Sequence, residues 1–264
     1  MDAASAPAAV LPPPSTLPVA AAKRPRAAAA VVRRAPETLH PELWLGQQLG
    51  RSGAQTVASG FARLDAELPD GGWPRRALSE LLLAHPGVGE IRLLSPALVA
   101  AQRAGRLVML FDPPAALAAA ALAALGFIVD ELLVVETRSE SLWALEQALK
   151  SGHVGAIVAW LPQRLRAERL RRLQLAAHRH DGVAFVVREP AAAARPTAAP
   201  LRVAVHAGGA DRVQLRILKR RGPPLDSPLE LELPSVLSAA ARRRSATGSG
   251  TPRRLPAATF VDVA

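Results

Sequence analysis

The sequence predicts an α/β protein with a mostly parallel sheet flanked by helices and a C-terminal antiparallel hairpin. Three observations predict it. Between residues 78 and 187, short and almost wholly apolar runs alternate with longer helical patterns, as expected of parallel strands buried on both faces. After a Pro- and Ala-rich break at 189–200, segments 201–205 and 213–218 alternate around Gly208-Gly209 like the arms of a hairpin. Half of the 264 residues are apolar, enough for one sizeable core with tails.

Taken in order, residues 78–83 form an apolar run suited to a buried strand. His85-Pro86-Gly87 turns the chain into a helix that carries Ile91, Leu94, Leu98 and Ala101 on one face, with Gly105 as its C-terminal stop. Residues 107–111 are the next strand; Asp112 and Pro113 then read as the cap and first turn of a helix over 115–125, ended by Gly126. A strand at 132–136 precedes Thr137-Arg138-Ser139-Glu140, a capping-box pattern for a helix bearing Leu142, Leu145 and Leu149 and closed by Gly152. Strand 154–160, a charged helix over 164–180 and strand 183–187 follow, and a short strand at 229–233 ends the ordered pattern. The boundaries expected are a disordered Ala/Pro/Arg-rich tail at 1–36, a domain at 37–234 and a flexible basic tail at 235–264.

Composition narrows the chemistry. The chain has no cysteine, which removes disulfides, thiolate metal sites and thiol nucleophiles and fits a reducing cytoplasm. No apolar run approaches the roughly 20 residues that cross a bilayer, so no membrane association is expected. The formal charge of +11 is concentrated at the ends. In the first tail Lys23, Arg24, Arg26, Arg33 and Arg34 face only Asp2, and in the last Arg242, Arg243, Arg244, Arg253 and Arg254 face only Asp262. Such arms keep a protein soluble and can also visit phosphate backbones through counterion release.

The segment from Ser59 to Leu94 has the layout of a phosphate loop without its chemistry. A working loop sets two glycines after a strand and then places Lys and Ser/Thr at the helix start, the Lys for the phosphates and the hydroxyl for magnesium. Here Gly87-Val88-Gly89 is followed by Glu90 and Ile91. A carboxylate repels a polyphosphate, and an isoleucine cannot ligand a metal. At a helix start Glu90 suits the macrodipole, which favours a structural role for it over that of a base.

Leu39-His40-Pro41 with Trp44, Ser59-Gly60-Phe61 with Leu64-Asp65, Gly71-Gly72-Trp73-Pro74, Leu81-Leu82 and Leu218-Lys219-Arg220-Arg221-Gly222 together resemble the ImuA family. These are RecA-like accessory proteins of bacterial SOS mutagenesis, grouped with the cell-division inhibitor SulA. The resemblance covers roughly residues 37–234 and departs at Asp70, where the family usually has glycine. It implies a RecA-like core whose phosphate-binding Lys and Thr fall at Glu90 and Ile91. The catalytic glutamate falls where Asp112 is followed by Pro113-Pro114, and the magnesium-serving acid at Trp160. The implied protein is not an enzyme and needs no cofactor or metal. Its implied partners are an ImuB-like inactive Y-family polymerase homologue, an error-prone C-family polymerase and RecA, in the cytoplasm and with no membrane role. The SulA grouping implies a second function, inhibition of cell division; a residual ATPase and direct DNA binding are further alternatives.

The candidate partner or DNA surface comprises Phe61, Trp73, Arg164, Arg169, Arg171 and Arg172. The arginines crowd one helix, where Glu168 can pair with Arg164 and Arg172 at i,i±4 as on an ordinary solvated face, yet arginine exceeds acid and leaves an electropositive surface. Trp160 suits a core position or an interface anchor equally. Asp65 reads as a turn or helix cap. His178 and His180, two apart, do not share a helix face, so metal binding is not expected there.

Overall fold

The structure, a computed structural model, describes residues 55–236 apart from 138, 139, 163, 210 and 226. The two tails, the domain start near Glu37 and the Arg138-Ser139 part of the capping pattern lie outside the described residues.

An antiparallel pair, β1 (Thr56–Val57) and β2 (Trp73–Pro74), opens the described chain around a short helix, α1 (Ala62–Asp65). The sheet follows: β3 (Leu78–Leu83), α2 (Glu90–Arg103), β4 (Leu107–Phe111), α3 (Ala119–Ala124), β5 (Leu132–Val135), α4 (Ser141–Lys150), β6 (Val154–Trp160), α5 (Ala167–Ala177) and β7 (Val183–Arg188). The chain closes with β8 (Leu201–Gly209), β9 (Arg212–Lys219) and β10 (Leu229–Glu232). The strand order is β10-β9-β8-β3-β7-β6-β4-β5. Strands β3 to β8 pair in parallel, while β9 runs antiparallel to both β8 and β10. The fold is thus mixed α/β, with a large, mostly parallel sheet and antiparallel strands at its end.

Alternation along each strand divides the interior. Leu81, Leu83, Val108, Leu110, Val158 and Phe185 pack with α1, α2 and α3 on one face. Leu78, Phe111, Ile157, Ala159, Ala184 and Val186 pack with α4 and α5 on the other. Every residue of β3 and β7 is buried, which is why these runs read as apolar rather than alternating.

Charge nevertheless lies inside that apolar pattern. Glu80, in the middle of β3, is fully buried and accepts bonds from Arg188 Nη1 of β7 at 2.9 Å and Arg202 Nε of β8 at 2.6 Å. The strand pairing makes the triad, because Glu80 stands directly beside Arg202. Lys219 of β9 lies near it, and burial followed by repulsion from Arg202 lowers its pKa.

Helix α2 contains Pro96, which cannot supply the amide that the Arg92 carbonyl would receive. The Ser95 hydroxyl donates to that carbonyl instead, at 2.9 Å. The proline ring also seats Gly60, where an added Cβ would come within 2.4 Å of it.

Several local expectations are corrected. Asp112 does not cap a helix: it adopts φ +49°, and its carboxylate accepts from the Thr137 amide at 2.6 Å and hydroxyl at 2.7 Å. The helix expected over 115–125 is limited to α3, six residues later than Pro113. Thr137, engaged by Asp112, does not cap α4, whose N-terminal flank is Glu140 with no side-chain cap bond. The charged helix also starts later than 164, at Ala167, leaving Arg164 before it.

Candidate functional site

All six parallel strands point their carboxyl ends to one edge of the sheet, the edge at which open α/β sheets hold ligands. The loop after β3 lies there and runs into α2. Gly87 at φ +85° and Gly89 at φ +112° turn successive backbone amides inward, a concavity of the kind that binds anions. That concavity is already filled. The Glu90 carboxylate folds back, accepting from the Gly87 amide at 3.0 and 3.1 Å and from the Gly89 amide at 3.2 Å. The residue is only 4% exposed. Its negative charge meets both the loop amides and the positive end of a 14-residue helix.

The loop is also covered from outside. Leu233, just beyond β10, packs against Gly89, and its amide donates to the Asp211 carbonyl at 2.7 Å. Arg92, in the first turn of α2, bonds the Asp211 carboxylate at 2.6 Å, the Leu233 carbonyl at 3.3 Å and the Pro234 carbonyl at 2.8 Å. Arg92 therefore clamps the end of the final strand across the loop. Sequence reading missed this clamp, because nothing local links Arg92 to residues more than a hundred positions away.

The other positions implied for nucleotide chemistry lie at the ends of neighbouring strands. Ile91 is half-buried and packs on the larger core. Asp112, after β4, is engaged by Thr137 and bonds its own amide to the Val135 carbonyl, tying the ends of β4 and β5 together. Trp160 ends β6 and packs on the same core as Ile91, with its indole nitrogen buried and unpartnered among the described residues. It is half-buried. Asp65 is a cap of a turn: its carboxylate accepts from the Ser59 amide at 2.8 Å.

The expected surface divides. Trp73 is fully buried in an edge-to-face contact with Phe185, ring centroids 5.2 Å apart, so its place in the surface set is corrected: its indole belongs to the core that joins β2 to β7. Phe61 is half-buried and packs on that core. Arg164, Arg169, Arg171 and Arg172 are exposed. Arg172 pairs with Glu146 of α4 at 2.9 Å rather than with Glu168, and Arg164 precedes the helix, so the i,i±4 pairing expected of Glu168 does not form. The residue that sequence reading missed on this side is Glu146, which also binds Lys150 at 2.6 Å. The Lys150 hydrogen bond, followed by the nearby Arg172, holds its carboxyl below the usual range despite partial burial. His180 is buried and His178 exposed. Among the described residues no cluster of three or more His, Cys, Asp or Glu gathers as a metal site would, and no helix is long and apolar enough to cross a membrane.

A family model described as "Cell division inhibitor SulA" matches residues 77–184, a span that runs from the start of β3 into β7. It includes both the filled loop and the basic helix. The similarity supports a SulA-like or ImuA-like family and, with it, an SOS-related protein. A search of curated proteins finds no match.

Proposed function

We propose that this chain is a non-catalytic, RecA-like accessory protein of SOS-induced, error-prone translesion DNA synthesis. It acts in the cytoplasm through contacts with an ImuB-like inactive Y-family polymerase homologue, an error-prone C-family polymerase and RecA. The observation that carries the reading is the Glu90 carboxylate in the loop's amide nest. Phosphoryl transfer depends on positioned charge that attracts the phosphates, and here an anion of the protein's own occupies that position. A mostly parallel sheet that ends in antiparallel β9 and β10 supports the RecA-like part of this reading. A frame kept without its reaction centre is suited to docking on a RecA subunit or imitating one.

The test is affinity capture from DNA-damaged cells with the full chain and with a chain ended after Val236. Recovery of RecA together with an ImuB-like protein is the expected result. Recovery of a tubulin-like division protein alone would overturn it. That second reading, division inhibition, takes its support from the description of the matched family, and it predicts filamentous cells on overexpression.

A further inference from the structure

Away from the loop, α4 and α5 lie side by side on the opposite face of the sheet and leave a depression of about 330 Å³ between them. Glu146, Lys150, Arg172, Leu175, Ala176 and Arg179 line it. Within the lining Leu175 is 60% exposed, and outside it Trp143, one turn before Glu146 on α4, is 62% exposed. Exposed large apolar side chains beside a charged depression are features of contact surfaces. Helical spacing puts Trp143, Glu146 and Lys150 on one side of α4 and Arg172, Leu175 and Arg179 on one side of α5. The Glu146–Arg172 bond joins the two rows.

The charge balance selects the occupant. Lys150, Arg172 and Arg179 face a single carboxylate, Glu146, whose side chain is 12% exposed and already shared between Lys150 and Arg172. Arg169 and Arg171, with Glu168 as the acid of the same stretch, leave α5 positive overall. The chain's own tails are strongly basic and a second copy carries the same +11, so like charge opposes both as occupants. A nucleic acid backbone would satisfy the cations but gains nothing from Leu175, and it would meet Glu146. An acidic segment with an apolar face satisfies both elements.

We propose that the α4–α5 groove docks an acidic amphipathic peptide segment of a partner protein. Apolar side chains of the segment seat over Leu175 in the groove and Trp143 beside it, and its carboxylates reach Lys150, Arg172 and Arg179. Helix-in-groove recognition takes this form. The site stands on its own chemistry and does not depend on the pathway the chain serves.

The probe is a fluorescein-labelled amphipathic peptide with leucine and phenylalanine on one face and glutamate on the other, read by anisotropy against the full-length chain. Its counterpart with glutamine for glutamate is expected to bind at least about tenfold more weakly, and Leu175→Ser and Trp143→Ser are each expected to weaken the acidic peptide by about tenfold. Both side chains are largely exposed, so unchanged thermal melts accompany the loss; Arg179→Glu provides a third variant acting by charge alone. Equal binding of the two peptides, or affinity untouched by all three substitutions, would overturn the proposal. So would duplex or single-stranded oligonucleotides that displace the peptide and bind Leu175→Ser as well as they bind the parent chain.

Discussion

Leu233 lies directly over Gly89: a Cβ built on that glycine would stand 2.6 Å from the leucine Cδ1 and 3.4 Å from Val213 Cγ1. The end of β10, the last strand among the described residues, and the start of α2 thus share one contact, with Arg92 of α2 bonded to Pro234 and Asp211 beside it. The loop that resembles a phosphate site is a packed joint.

Gly89→Ala is opposed twice, by φ +112° and by Leu233. It is expected to cost about 2 kcal/mol or more in urea denaturation. Gly87→Ala, at φ +85° with nothing within 4 Å of the added methyl, meets only the backbone strain, about 1 kcal/mol. Equal losses at the two positions would show that Leu233 does not press on Gly89.

Glu90→Ala removes the acceptor of the Gly87 and Gly89 amides and the negative charge at the helix start. A loss of about 1–3 kcal/mol is expected, measured as a shift in urea midpoint with the slope unchanged. Glu90→Gln, which retains an acceptor oxygen, is expected to lose less. An unchanged midpoint for Glu90→Ala would contradict the structural role of this carboxylate.

Glu80→Ala leaves two guanidinium groups buried without their shared acceptor, since Arg188 and Arg202 are 4% and 5% exposed. Removing one member of a buried ionic group costs about 3–5 kcal/mol. Thermal denaturation should show the largest loss of any substitution described above. A loss below about 1 kcal/mol would mean that the guanidinium groups find water when Glu80 is gone.

His180 gives stability a pH dependence. Burial, foremost, lowers its pKa from 6.5 to about 4, although its ring bonds the Val183 carbonyl at 3.3 Å. Above pH 6.5 the ring is neutral in both folded and unfolded chains, and its burial carries no proton cost. As pH falls below 6.5 the unfolded chain takes up the proton first, so stability falls by up to about 1.4 kcal/mol per pH unit. The decline continues toward the folded pKa near 4. Urea midpoints from about pH 7 down to about 5 measure it, a window above most carboxylate titrations. His180→Gln should flatten that slope; an unaltered slope would assign it to other groups.

The sheet was legible because burial on both faces writes itself into a strand as a mostly apolar run, and residues 78–83, 107–111 and 154–160 stand as read. What was not legible depends on partners distant in sequence. Glu80 is inconspicuous inside such a run because its arginines lie 108 and 122 positions away. Trp73 reads as a surface anchor because a tryptophan flanked by glycine and proline carries no periodicity, and residues distant in sequence, Phe185 among them, make it core. Asp112-Pro113 has the form of a helix start, yet the aspartate's bonds to Thr137 outcompete that local use. The glutamate in place of lysine is visible at once; that its carboxylate fills the loop's own amide nest is not.

The Glu90 carboxylate occupies the loop's Gly87 and Gly89 amides, and isothermal titration of the full chain with ATP and magnesium tests most directly the proposal that the loop binds no nucleotide. No saturable, magnesium-dependent heat is expected at millimolar nucleotide, and no phosphate release. Saturable binding that depends on magnesium, accompanied by release of phosphate, would contradict it.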